Sequence, residues 1–171
     1  MAQLNASLAT LAFKSANLDA RPATLTLTAR FDAPVEKVWD LWADPRKLER
    51  WWGPPTYPAQ VSEHNLQPGG RVTYSMTGPT GDRHHGYWEV VAVDPPRTLE
   101  VLDGFADSDG RPNADLPTMT MRVALTSRGA RTRAVITSTF ASIEAMQTVI
   151  DMGIEEGLRG AMEQMDALLI E

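Results

Sequence analysis

The chain has 171 residues, with 16 Lys plus Arg against 22 Asp plus Glu, a formal net charge of −6 and no cysteine. That length predicts one domain at roughly 100–200 residues each, and a hydrophobic share of 43% with 22% charged residues is the composition of a folded chain with a core. The acidic balance argues against nucleic acid and anionic lipid surfaces, which need a basic face, and the lack of cysteine excludes disulfides, a thiol nucleophile and a thiolate metal site.

No window approaches the roughly 18 apolar residues of a membrane span. The first positive charge, Lys14, follows the apolar residues of the opening segment, the reverse of a signal peptide's order. The expected location is therefore cytoplasmic. Residues 1–22 show no sustained period and are expected to form an N-terminal extension to a domain spanning 23–171.

Leu25, Leu27, Ala29 and Phe31 alternate with Thr24, Thr26, Thr28 and Arg30, the pattern of a half-buried strand. Asp32-Ala-Pro34 then predicts a helix start, with Asp32 or Ala33 at the N-cap. Val35, Val38, Trp39, Leu41 and Trp42 form the apolar side of that helix. Asp44-Pro45 ends it, and Arg46–Trp52 reads as a second short helix closed by Gly53-Pro54-Pro55.

Strands are predicted over Tyr57–His64, Arg71–Thr77, His84–Val93, Thr98–Asp103, Met119–Thr126 and Thr132–Phe140, with a polar loop at 104–115. The turn signals Pro68-Gly-Gly, Gly78-Pro-Thr-Gly, Asp94-Pro-Pro and Ser127-Arg-Gly fall between them. After residue 142 the apolar period changes to three and four, through Ile143, Met146, Ile150, Ile154, Leu158, Ala161, Met165 and Leu168. That spacing predicts one long amphipathic helix capped by Ser142. The expected fold class is α+β: a curved antiparallel sheet of six or seven strands whose concave face grips the long C-terminal helix, with two short helices after the first strand.

Phe31-Asp-Ala-Pro-Val-Glu-Lys-Val-Trp-Asp-Leu-Trp-Ala-Asp-Pro-Arg-Lys-Leu-Glu-Arg-Trp-Trp-Gly-Pro resembles the opening signature of the START-like (SRPBCC) superfamily. Within it, the likeness is to homologues of activators of the heat-shock protein 90 ATPase. Pro68-Gly-Gly-Arg-Val, Gly86-Tyr-Trp-Glu-Val-Val, Pro95-Pro-Arg-Thr-Leu and Gly153-Ile-Glu-Glu-Gly-Leu continue the resemblance in order. It implies a helix-grip (START/Bet v-like) fold with a cavity between sheet and long helix. Members of the superfamily include lipid and hormone carriers and polyketide cyclases, so the implied functions range from ligand carriage to catalysis and co-chaperone-like protein interaction.

Trp39, Trp42, Trp51 and Trp52 cluster on the two short helices, either as an aromatic lid over a cavity or as core that fixes those helices to the sheet. Adjacent Trp51 and Trp52 cannot face the same way on a helix, so one of them is expected to face the cavity or a partner. Gly153, Gly157 and Gly160 recur at i, i+4 and i+7, which predicts a cleared cavity floor, close packing under a bulky side chain, or a helix bend. Met76, Met119 and Met121 suit an adaptable apolar wall as well as ordinary core. Ile150 and Ile154 extend that wall along the helix, with Tyr87 and Trp88 on the strand opposite.

His84, with His85 next to it, and Tyr74 are candidate hydrogen-bonding anchors. Together with Glu89 they are also the candidate acids and bases, should the cavity be an active site. The spacing of the three histidines does not make a metal site. No Gly-x-Ser-x-Gly elbow, phosphate loop or dinucleotide fingerprint is present, so no cofactor is expected. The expected function is binding of a small apolar or amphipathic molecule. A cyclase- or hydrolase-like enzyme and a chaperone-binding protein are the alternatives, and a homodimer formed through a sheet edge or the extension is a further option.

Overall fold

The computed structural model describes residues 10–14 and 23–171. Strand β1 (Thr10–Lys14) pairs antiparallel with β2 (Ala23–Phe31), bringing Phe13 opposite Leu25. The helices α1 (Val35–Ala43) and α2 (Pro45–Leu48) follow. The chain then meanders through β3 (Ala59–His64), β4 (Arg71–Thr77), β5 (Arg83–Asp94), β6 (Thr98–Ala106), β7 (Met119–Arg128) and β8 (Arg131–Phe140). Helices α3 (Ile143–Asp151) and α4 (Ile154–Ile170) end it. The sheet order is β1-β2-β8-β7-β6-β5-β4-β3, with every neighbouring pair antiparallel. Seven strands run between residues 23 and 140, and β1 makes an eighth. The rest of the expected N-terminal extension lies outside the described residues.

Alternation decides which side chains enter the core. Leu25, Leu27, Ala29 and Phe31 of β2 are buried, as are Met119, Met121, Val123 and Leu125 of β7 and Ala134, Ile136, Ser138 and Phe140 of β8. Each set has a period of two, so all project from the face covered by the helices. The inner apolar residues fall into two clusters. The larger joins α1, α2 and α4 to the middle of the sheet, and the smaller gathers Ala23, Leu25, Met119, Phe140 and Val149 beneath α3.

Several local boundaries differ from those the sequence suggests. α1 starts at Val35 with Pro34, rather than Asp32 or Ala33, at the N-cap, where a proline side chain offers no acceptor, and Asp32 pairs with Arg131 at 2.7 Å. α2 stops at Leu48, and the chain turns through residues 49–53. A continued helix would place Trp51 and Trp52 about 100° apart, whereas the turn buries both, with Trp51 Nε1 donating to Leu41 O at 2.8 Å. Asp44 caps α2 by accepting from the N–H groups of Arg46 and Lys47. β6 runs on to Ala106, because its backbone stays paired with β5 as far as His85.

The expected single C-terminal helix is two helices. Ser142 caps α3, accepting from Ala145 N at 3.0 Å, and the helical path breaks at Met152-Gly153, where Gly153 adopts φ +89°. The left-handed region costs a side-chain-bearing residue roughly 1–2 kcal/mol, so glycine sets the position of the break. The three glycines thus have separate roles. Gly153 bends the path, an added Cβ at Gly160 would lie 3.7 Å from Pro55, and one at Gly157 would meet nothing within 4 Å.

Gly153→Ala is therefore expected to destabilise the fold by about 1–2 kcal/mol. Gly157→Ala, inside a helix and facing space, should stabilise it by about 0.5–1 kcal/mol. Urea denaturation of the two variants beside the wild type checks both signs.

Candidate functional site

The two apolar clusters do not meet everywhere. Between them lies a cavity of about 640 Å³, bounded by the concave faces of β4–β8, by Trp52 and Pro54 behind α2, and by α3 and α4. Ligand pockets usually span roughly 300–1,000 Å³, so the space is of ligand size.

Its closed end is aromatic. Trp42 and Trp51 meet edge to face with ring centres 4.5 Å apart, Trp52 and Trp88 at 4.7 Å, and Trp52 and Tyr74 at 5.8 Å. Such pairs contribute roughly 0.5–1.5 kcal/mol each beyond the area they bury. Trp42, Trp51 and Trp88 are wholly enclosed in this block, while Trp52 and Tyr74 form its boundary with the cavity. Gln164 of α4 ties the block to the helix by donating to Gly53 O at 2.6 Å and Trp51 O at 3.3 Å.

The apolar walls come from Met76, Met119, Met121, Phe105 and Leu116 on one side, and from Val149, Ile154, Leu158 and Ala161 on the other. Gly153 and Gly157 complete the helical wall, and the open space beyond a Cβ at Gly157 is this cavity. At the mouth stand Tyr57, Arg83, His84 and His85. The Tyr57 hydroxyl donates to Asp82 at 2.8 Å, and His84 Nε2 lies 3.2 Å from the same carboxylate, with the His84 side chain mostly in solvent.

Of the residues singled out from sequence, Trp52, Tyr74, Met76, His84, Met119, Met121, Gly153, Ile154 and Gly157 are brought together around the cavity. Trp39, Trp42, Trp51, Trp88, Tyr87 and Ile150 do not line it. The first four belong to the core block. Tyr87 follows the opposite phase of β5 to Trp88, with the Arg71 guanidinium 5.4 Å from its ring centre. Glu89, a candidate acid or base, is exposed on that same phase.

The polar residue that sequence reading missed is Asp103. It sits on β6 in phase with Leu99 and Val101, pairs across the sheet with Trp88 and Met119, and is buried in the cavity wall. A carboxylate falling in step with two core residues was the available signal. Ser138, opposite Met121, is a second buried polar residue in the wall. Burial pushes the Asp103 carboxyl up to about 7, against hydrogen bonds from the Tyr74 hydroxyl and the Gly104 backbone that act to lower it. Burial likewise holds the Tyr74 phenol well above its ordinary range, helped by the neighbouring Asp103 charge.

Local structure explains how Tyr74, on β4, reaches Asp103, two strands away on β6. Tyr74 pairs with Gly86 of β5, and a Cβ at Gly86 would fall 2.4 Å from the Tyr74 ring. The missing side chain lets the ring lie flat across β5 with its hydroxyl toward β6. Among the described residues no group of three or more His, Asp or Glu converges as a metal site.

The sign of the Asp103 effect on stability follows from linkage. Its folded pKa of about 7 lies above the ordinary 3.8, so the folded state holds a proton that the unfolded chain releases. Its contribution is fully present below about pH 4 and is lost as pH rises through about 7, a swing on the order of a few kcal/mol at about 1.4 kcal/mol per unit. Asp103→Asn should flatten that part of the pH–stability profile and be more stable than the wild type at about pH 8. Urea denaturation at several pH values checks this, and an unchanged slope would count against a protonated Asp103.

Comparison with known proteins agrees with this architecture. Residues 32–170 match the family model described as Activator of Hsp90 ATPase homolog 1-like protein. No curated protein matches the sequence. The chain is similar to the crystal structure of protein Ms6760 from Mycobacterium smegmatis, with 51% identity over 94% of this chain and 97% of that one, and a TM-score of 0.82. It is also similar to a solution structure from Arthrobacter aurescens, at 47% identity over 85% of each chain and a TM-score of 0.82. A third solution structure, from Staphylococcus epidermidis, shares 29% identity over 90% of this chain and 93% of its own, with a TM-score of 0.77. With most of its length matched by the family model and its eight-stranded sheet closed over by C-terminal helices, the chain belongs to the Activator of Hsp90 ATPase homolog 1-like family, a START-like helix-grip domain.

Proposed function

We propose that this protein binds a small amphipathic molecule in the cavity between the concave sheet face and helices α3 and α4. The observation that carries the reading is the cavity itself: about 640 Å³, with apolar walls and one buried carboxyl at its inner end. Burying an apolar tail there gains roughly 25 cal/mol per Å² removed from water. The few inward polar groups, Asp103, Tyr74 and Ser138, are placed to orient a head group. Methionine suits the walls, because its flexible thioether adapts to irregular shapes.

The chemistry favours binding over catalysis by the histidines. His84 and His85 stand at the solvent end, and His84 is engaged with Asp82. The inner polar groups are a carboxyl, a phenol and the Ser138 hydroxyl, and only the phenol and the Gly104 backbone act on Asp103 among the described residues, which supports a binding role over a proton relay.

Titration calorimetry with octan-1-ol, a short amphiphile with a neutral head, tests the reading. One molecule is expected to bind per chain, and Gly157→Phe, which places a ring in the space beyond the helix wall, should weaken binding at least ten-fold while the variant keeps its circular dichroism spectrum. Equal affinity of the folded variant and the wild type would place the binding site elsewhere.

A further inference from the structure

Resting on the reading of the cavity as a binding site, we propose that its ligand is an amphipathic amine whose ammonium group is held by Asp103, with Tyr74 beside it. Five features of the inner end support this. Asp103 is the acidic residue of the cavity wall, while the basic ones, Arg83 and the histidines, stand at the mouth. Among the described residues no ion pair includes Asp103. A buried carboxyl without a countercharge is costly to keep, and a cationic ligand supplies the missing charge.

The acceptor count points the same way. An ionised carboxylate offers about four lone-pair sites. Tyr74 and Gly104 are the neighbours that act on it, and acceptor sites remain for the N–H donors of an ammonium group. The rings of Tyr74 and Trp52, 5.8 Å apart, border the same end, and a ring face turned to the head group attracts a cation rather than an anion. An anionic head would meet the Asp103 charge directly. Finally, the geometry is built rather than incidental: the bare Gly86 lets Tyr74 lie across β5 to reach Asp103.

The test compares octylamine, octan-1-ol and octanoate, three probes with one tail and different heads, by titration calorimetry on the full chain at about pH 7.5. Octylamine is expected to bind at least ten-fold more tightly than octan-1-ol, and octanoate more weakly than either. Asp103→Asn should bring octylamine down to the affinity of octan-1-ol, whereas a general attraction to the acidic surface would leave its preference intact. Equal affinity of the wild type for amine and alcohol, or a preference that survives Asp103→Asn, overturns the amine assignment while leaving the binding cavity standing. Failure of all three probes to bind overturns both. If Asp103→Asn does not fold, the wild-type comparison is repeated in about 1 M salt, which screens surface charges beyond about 3 Å: an octylamine preference that persists supports Asp103, and one that vanishes overturns the assignment.

Discussion

The whole arrangement depends on how one curved sheet face is filled. The concave surface of an eight-stranded sheet is larger than a single helix can cover, and the chain fills only part of it densely. Trp42, Trp51, Trp52, Trp88 and Tyr74 pack edge to face at one end, anchored by the Trp51–Leu41 hydrogen bond and by Gln164. At the other end the smaller cluster under α3 closes the sheet. The space between is left to whatever the helices place over it, and there they place glycine. Truncating a buried tryptophan of such a block typically costs about 3–5 kcal/mol, so the aromatic end holds the sheet and helices at the separation that keeps the cavity open.

Within that space the proposed role of Asp103 sets stability against recognition. A neutral, apolar residue in phase with Leu99 and Val101 would serve the core better, because burial alone pushes this carboxyl up to about 7. On the proposed reading, a group kept in an unfavourable setting beside Tyr74, with a cleared path over Gly86, is a binding determinant rather than a packing residue. The mouth has a different character: Arg83, His84, Tyr57 and Asp82 form a hydrated polar rim. A ligand oriented by the inner carboxyl would therefore be enclosed along its tail and exposed only where it meets this rim.

Much of the fold was legible in the sequence. The period-two alternation of β2, β7 and β8 and the glycine–proline turns placed the strands, because side-chain burial on one face leaves that trace directly. The helix break was harder to read. The apolar stripe runs unbroken from Ile143 to Leu168 through residue 153, and only a backbone angle distinguishes a bend from a cavity floor. The aromatic residues were recognisable as a group, but not their division. Trp42, Trp51 and Trp88 turn inward to the core while Trp52 borders the cavity, and that depends on how the turn after α2 is wound. The setting of Asp103 is harder to read, because its neighbours come from β4 and β5 across the sheet and share no sequence spacing with it.

The most direct test of the central claim uses the methionines as reporters. In protein labelled with ¹³C at the methionine methyls, saturation with octan-1-ol should shift the resonances of Met76, Met119 and Met121, which line the cavity, and leave Met165, sealed in the larger core cluster, in place. Unmoved resonances of Met76, Met119 and Met121 under saturating octan-1-ol would contradict a ligand site between the sheet and the C-terminal helices.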